Sequence, residues 1–378
     1  MLDSISPIDG RYRKYTEPLA RFFSEEAFMR QRIKMESEYL IAILKITNHK
    51  PQISNKLQVQ IQKLAETFSS KDAQEIKKIE QTTNHDLKAI EYWMREKLDP
   101  KLSNWIHFGL TSEDATNIAY GLMISGALRE VVIPTLQKIH DSLKSLSTTH
   151  YALPMLARTH GQPASPTTFG KEMAIFGARL KRQFEQLKSW KAPGKLAGAT
   201  GNYNALHAAY PKIDWMKFSK KFVESFGLEH VALTTQIESH DSYAELFDNL
   251  RRVNTILINL DHDLWRYISD GWLKQKPVAG EVGSSTMPHK INPWFFENSE
   301  GNLGVANALF GFFSAKLPIS RLQRDLSDST VERSIGVAFG HSLIGYEYLL
   351  KALDRVDVNH EAMREALEAH PEVLAEAI

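Results

Sequence analysis

The sequence predicts an all-α fold, a bundle of long helices with smaller helical domains at either end. Three observations predict it. Helix-favouring Leu, Ala, Glu, Lys, Gln and Ile dominate, and alternating β-branched runs are scarce. Leu246, Leu250, Val253, Leu257, Leu260, Leu264 and Tyr267 step by four and three, the heptad seam of a helix lying nearly parallel to its neighbours. A second seam runs through Ile118, Leu122, Ser125, Val132, Leu136, Ile139, Leu143 and Leu146.

Taken in order, helices are expected over 25–45 and 72–97, inside an N-terminal helical domain spanning 1–111. Ser112 is placed to cap the helix of the second seam, with Glu113 and Asp114 suiting the positive end of its dipole. Pro134 is expected to kink that helix. Residues 157–166 read as a Gly/Pro-rich connection. Helices follow over 167–191 and 214–226, separated by a break with glycines at 194, 198 and 201. The first seam should occupy a helix over 242–274, roughly 50 Å long at 1.5 Å per residue. Phe247 and Ile256 widen its stripe, so it should meet more than one neighbour. After a third polar break, 277–293, helices over 294–316 and 330–353 complete a central bundle assigned to 112–355. Residues 356–378 begin a further domain.

The chain has 378 residues, enough for two to three domains at about 150 residues each. It carries 46 basic and 45 acidic residues, so bulk charge gives no grip on nucleic acid. Small anions remain possible ligands, because a pocket needs only a few local cations. There is no cysteine, which removes disulfides, thiol nucleophiles and thiolate metal sites. Met1-Leu2-Asp3-Ser4 does not open a signal peptide, and the apolar window 304–315 is too short to span a bilayer. The expectation is a soluble cytoplasmic protein with no membrane partner.

Several motifs with strict spacing are missing. His360-Glu361-Ala362-Met363-Arg364 has Arg where a zincin helix needs its second histidine. Gly170-Lys171 is not part of a P-loop, and neither a dinucleotide fingerprint nor an acid-rich calcium loop is present. The expectation is chemistry without a metal or other cofactor.

The segment Gly283-Ser284-Ser285-Thr286-Met287-Pro288-His289-Lys290-Ile291-Asn292-Pro293 stands out. Pro293 suits a first helical turn, so the loop leads into a helix N-terminus, which favours anions. Composition alone fits two readings: a plain linker, or an anion-binding loop with hydroxyls at its tip and Lys290 beside them.

This run resembles the signature of the fumarase/aspartase superfamily, whose members eliminate fumarate or add to it. His289 within Met-Pro-His-Lys is similar to the bacterial type of adenylosuccinate lyase. So are four further stretches: 6–12, ending in Arg11-Tyr12; Thr82-Thr83-Asn84-His85-Asp86; Thr111-Ser112-Glu113-Asp114; and Arg158-Thr159-His160-Gly161-Gln162-Pro163. A fifth is the run from Arg324 to Arg333. These segments stand in family order, and the resemblance covers the chain from its start to about residue 375. The resemblance implies a bundle of the superfamily type, a homotetramer with sites shared between subunits, and no cofactor. It also implies a small C-terminal helical domain of which 356–378 is a truncated start. The implied reaction splits adenylosuccinate into AMP and fumarate, and succinylaminoimidazole-carboxamide ribotide into its carboxamide and fumarate. Other fumarate-releasing lyases and carboxymuconate-type cycloisomerases are the nearest alternatives; Arg11 with Arg333 weighs against them.

By the same resemblance, Ser284 is the general base, its alkoxide stabilised by positive potential from groups such as Lys290 and a helix N-terminus. His160 is the general acid, an imidazole able to titrate near working pH; the alternative is a histidine that caps its loop between Thr159 and Gly161, and the Gly161-Gln162-Pro163 context favours the acid. His85 is the alternative acid or a substrate-binding histidine, with Asn84 beside it and Asp86 orienting an imidazole. Arg11, Tyr12, Arg324, Ser329 and Arg333 match phosphate and nucleotide contacts, guanidinium forks being suited to oxyanions. The intervening Thr330, Val331 and Glu332 are included with them. Arg324 and Arg333 could instead pair with Asp325, Asp328 and Glu332 at the surface. Thr111, Ser112, Ser285, Lys290, Ile291 and Asn292 match carboxylate and substrate binders, and Gln236 and Asn298 complete the set.

Overall fold

The computed structural model describes residues 2–48, 53–276, 287 and 291–378. The helices begin with α1 (Arg13–Phe23) and α2 (Glu25–Ile46); the Ser24 side chain caps α2 by accepting from the Ala27 amide. Next come α3 (Asn55–Glu66), α4 (Ser70–Thr83) and α5 (Asp86–Lys97). The single helix expected over 72–97 is therefore two. Asn84 adopts a left-handed conformation (φ 50°) that ends α4, and His85 caps α5.

A long helical stretch follows: α6 (Ser112–Ala127), a π-turn over Leu128–Val132, and α7 (Ile133–Thr149). Its N-cap is Thr111, not Ser112, and Asp114 Oδ2 accepts from the Thr111 amide at 2.9 Å. Pro134 sits in the first turn of α7. Proline lacks an N–H and crowds the carbonyl four residues back, here that of Glu130, and the widened turn is where the helix accommodates this. An apolar window of Ser112–Thr149 is long enough to cross a membrane by length and composition, but 67% of it is buried inside the fold, as in a core helix.

The expected connection at 157–166 is instead an antiparallel hairpin, β1 (Pro154–Thr159) with β2 (Gln162–Thr168). His160 and Gly161 make its two-residue turn, both with positive φ (55° and 77°), as a tight hairpin requires. Then come α8 (Phe169–Ser189), β3 (Pro193–Gly194), α9 (Asn204–Ala209), α10 (Trp215–Glu224) and β4 (Glu229–His230), which pairs parallel to β3. The longest single helix, α11 (Asp241–Ser269), spans about 44 Å. It stops before the expected residue 274; Gly271 turns the chain (φ 75°) into β5 (Leu273–Gln275). α12 (Trp294–Lys316) has the predicted bounds. The helix expected over 330–353 is two, α13 (Ser327–Glu332) and α14 (Ile335–Asp354). β6 (Val356–Val358) pairs with β5 and leads to α15 (His360–Glu368).

The seam residues from Leu246 to Leu264 are almost fully buried in one apolar cluster with α7, α8, α12 and α14. α11 and α12 run antiparallel, since Phe247 stacks on Phe310 at one end and Trp265 donates to Glu297 at the other. A second cluster joins α2 and α5 to Leu196, Trp215, Phe218 and Phe222, so residues 192–228 pack on the N-terminal helices. The stretch 112–149 serves both: Ala115 and Ile118 belong to the second cluster, and Ile124 onward to the first.

Candidate active site

α5 and α6 both start at one cleft of about 380 Å³. Two helix N-termini thus aim backbone N–H groups and positive dipole ends at a shared space. Eight predicted residues line it: Asn84, His85, Asp86, Ser112, Arg324, Ser329, Glu332 and Arg333. Arg32, Thr116 and Tyr120 line it too and were not anticipated.

Asp86 lies between two guanidiniums. Its Oδ2 is 2.7 Å from Arg32 Nη1 and 3.2 Å from Arg333 Nη2, and its Oδ1 accepts from the Leu87 amide. Burial alone would raise its pKa, but Arg32, the Leu87 amide and Arg333 outweigh that and hold the carboxyl well below the usual carboxylate range. Arg32 also donates to Thr116 Oγ1 at 2.8 Å and stacks over Phe28. Its sequence signal was a cation on a mainly apolar helix face, beside Phe28, Met29 and Ile33, with Glu36 one turn on.

Arg324 donates to Gln236 Oε1 at 3.2 Å and to Ser329 Oγ at 3.1 Å. These two predicted residues therefore aim the guanidinium. Its pairing with Asp325 or Asp328 is not what forms; Asp325 pairs with Arg321 at 3.0 Å, and Arg333 reaches Asp86. His85 Nδ1 accepts from the Lys88 amide at 3.2 Å as the cap of α5. A neutral imidazole that accepts at Nδ1 carries its proton on Nε2, so His85 can offer a donor to the cleft.

Glu332 is a buried floor residue. Its Oε1 is 3.2 Å from Nε2 of His240, a residue sequence reasoning missed. Burial works against the His240 cation, but Glu332 and Glu238 overcome it and push the pKa up to about 9. Thr330 is exposed, and Val331 packs against the bundle core.

Other predicted residues gather elsewhere. The Tyr12 ring meets Tyr348 of α14 edge-on at 6.3 Å, and Trp294 at the start of α12 is 5.9 Å from the same ring. Arg11 is exposed beside Tyr12. Ile291 accepts from Gln275 through its carbonyl, Asn292 is half-buried, and Asn298 donates to the Trp294 carbonyl. Arg11, Tyr12, Ile291, Asn292 and Asn298 thus mark the end of the bundle where α12 begins. Ser284, Ser285 and Lys290 lie outside the described residues.

His160 is exposed at the hairpin tip. Arg158 holds this turn, donating to the Gly161 carbonyl at 3.1 Å and lying 3.6 Å from Asp270 just past α11. His240, beside the cleft, immediately precedes α11. The strand leading to His160 and the arginine cleft are therefore anchored at opposite ends of a helix about 44 Å long. One chain does not bring them together.

Comparison with known proteins agrees with the motif resemblance. A lyase family model matches residues 10–308, and an adenylosuccinate lyase C-terminal model matches 320–378. The chain is 48% identical over 384 residues to adenylosuccinate lyase of Haemophilus influenzae and 46% identical over 384 residues to that of Escherichia coli. A third relative, adenylosuccinate lyase of Dictyostelium discoideum, is 48% identical over 390 residues. Each alignment takes in 100% of this chain and 84% of the relative. Among solved structures, a Mesorhizobium fumarate lyase superposes with a TM-score of 0.79 at 18% identity, covering 96% of this chain and 80% of that one. A β-carboxy-cis,cis-muconate cycloisomerase from Acinetobacter calcoaceticus gives 0.76 at 19% identity, covering 96% and 81%. At these identities the two structures speak for the fold alone. The sequence matches over the whole chain place it further: it belongs to the adenylosuccinate lyase family of the fumarase/aspartase superfamily.

Proposed function

We propose that this chain cleaves adenylosuccinate to AMP and fumarate, and succinylaminoimidazole-carboxamide ribotide to its carboxamide and fumarate, in purine biosynthesis in the cytoplasm. The observation that carries the reading is the cleft. Three guanidiniums, those of Arg32, Arg324 and Arg333, converge there with an imidazole donor and two helix N-termini, a setting for a multiply charged anion.

In the proposed β-elimination, Ser284 removes a proton from the carbon beside a succinyl carboxylate. The electron pair forms the carbon–carbon double bond of fumarate as the C–N bond breaks. His160 gives its proton to the departing nitrogen. Nothing is oxidised or reduced, so the residues need no redox partner. Arg324 and Arg333, with Ser329 and His85, hold the phosphate end; Thr111, Ser112, Lys290 and Asn292 hold carboxylates. Arg11 and Tyr12 supply further nucleotide contacts.

The separation of His160 from the arginine cleft supports a site assembled from several subunits. So do apolar side chains on the outer faces of α11 and α12: Trp265, Val305 and Phe312 are 41%, 46% and 52% exposed. The proposed assembly is a homotetramer. An ultraviolet assay following adenylosuccinate loss with AMP and fumarate as products tests the reading; a purified tetramer that forms neither product refutes it.

A further inference from the structure

Beneath the cleft lies a carboxyl group that the elimination does not use. Glu113 of α6 is 1% exposed, and neither of its oxygens has a hydrogen-bond partner. Arg324 Nη2 stands 3.6 Å from Glu113 Oε2, and Arg324 Nε is itself buried without a partner. The other charges facing Glu113 are Glu332 of α13, His240 just before α11, and Lys195 just after β3. Tyr120 of α6 and Tyr243 of α11 also face this group of charges. Lys195 is 2.9 Å from Asp114, and His240 is 3.2 Å from Glu332, so each of those cations already has a carboxylate.

We propose that Glu113 is a positioning residue for Arg324: uncharged while a nucleotide phosphate fills the cleft, and, in the empty cleft, ionising as the pH rises above neutral and then drawing Arg324 inward. This deepens the functional reading above and rests on Arg324 as a phosphate-binding group. Burial and the neighbouring Glu332 charge push the Glu113 carboxyl up to about 8, against the opposing pull of Arg324. A phosphate dianion held by Arg324 adds negative charge nearby and favours the neutral acid further. Anion binding and proton uptake are then linked, and an ionised Glu113 competes with phosphate for the same guanidinium.

Calorimetric titration of the assembled protein with AMP at pH 8, in two buffers of different protonation enthalpy, reads this uptake. Wild type is expected to take up about half a proton per AMP bound, and Glu113→Gln none. The KM for adenylosuccinate should rise about three- to tenfold from pH 7 to 9 in wild type and stay flat in Glu113→Gln, with kcat within about twofold in both. Zero uptake by wild type overturns the proposal even if the variant does not fold. So does equal uptake by both proteins, or a loss confined to kcat. Arg324→Met tests the underlying reading separately: unchanged AMP affinity there removes Arg324 as the phosphate group, whatever Glu113 does.

Discussion

Arg158 Nε lies 3.6 Å from Asp270 Oδ2, a contact that ties the hairpin carrying His160 to the end of α11 remote from Asp86. If each site takes Ser284 and His160 from different subunits, two inactive proteins should rescue each other. Mixing equal amounts of Ser284→Ala and His160→Ala under conditions that let subunits exchange should restore about a quarter of wild-type activity, since half of the sites keep each residue. Light scattering should show a tetramer. A stable monomer, or a mixture as inactive as its components after proven exchange, removes the shared-site reading.

The division of labour between base and acid makes a second prediction. Ser284→Ala should lose nearly all activity in the ultraviolet assay. His160→Ala should fall by about 10² to 10⁴ in kcat, the range for positioned proton transfer. His85 already uses Nδ1 to cap α5, so His85→Ala should raise KM more than it lowers kcat. If only His85→Ala collapses in kcat, the acid assignment is wrong.

Arg32 is expected to matter for both stability and binding. Arg32→Met keeps the apolar stem over Phe28 but strips Asp86 and Thr116 of their buried partner. Removing one member of a buried pair costs about 3 to 5 kcal/mol, and the retained Arg333 contact should hold the loss near the lower end. Urea unfolding reads the stability. A midpoint within error of wild type would show that Arg32 carries no such burden.

Stability should fall as pH rises from about 6.5 to 9. His240 is raised to about 9 in the fold, so it stays protonated where the unfolded imidazole has lost its proton. Glu113, raised to about 8, likewise keeps a proton that the unfolded carboxyl sheds near pH 4 to 5. In both cases the folded state binds more protons, which makes the slope of unfolding free energy against pH negative. The His240 contribution is complete below its unfolded pKa and is lost as pH passes through about 9. Thermal midpoints across this range should show a shallower slope in Glu113→Gln; identical slopes exclude Glu113 as a source.

The long seams were legible because burial on a rigid helix leaves a strict period, and Leu246 to Leu264 fall where that period put them. Helix breaks were harder. Asn84 and His85 interrupt a run of good helix formers through backbone conformation and capping, which leave no hydrophobic signal. The hairpin around His160 was masked by glycine and prolines that read as a loop. Within the cleft, residues inside long motifs were recognisable, whereas Arg32 and His240 lie outside them and reach the site only through tertiary packing. Glu332 stood in a recognised run, but burial turned it towards His240.

The π-turn at Leu128–Val132 gives the 112–149 stretch one surplus residue in its winding. That surplus rotates everything after it by about 100° relative to an uninterrupted α-helix. The half before the turn is set mainly for the N-terminal helices and the cleft, and the half after it for the bundle seam. Winding the same residues as an uninterrupted α-helix would aim Leu136, Ile139 and Leu143 away from their partners, whereas deleting one residue there would give a continuous α-helix with those side chains still facing the seam. This short segment therefore acts as a phase-setting element: its wider winding, more than the identity of any side chain in it, keeps the arginine cleft in register with the helices that carry the other half of the chemistry.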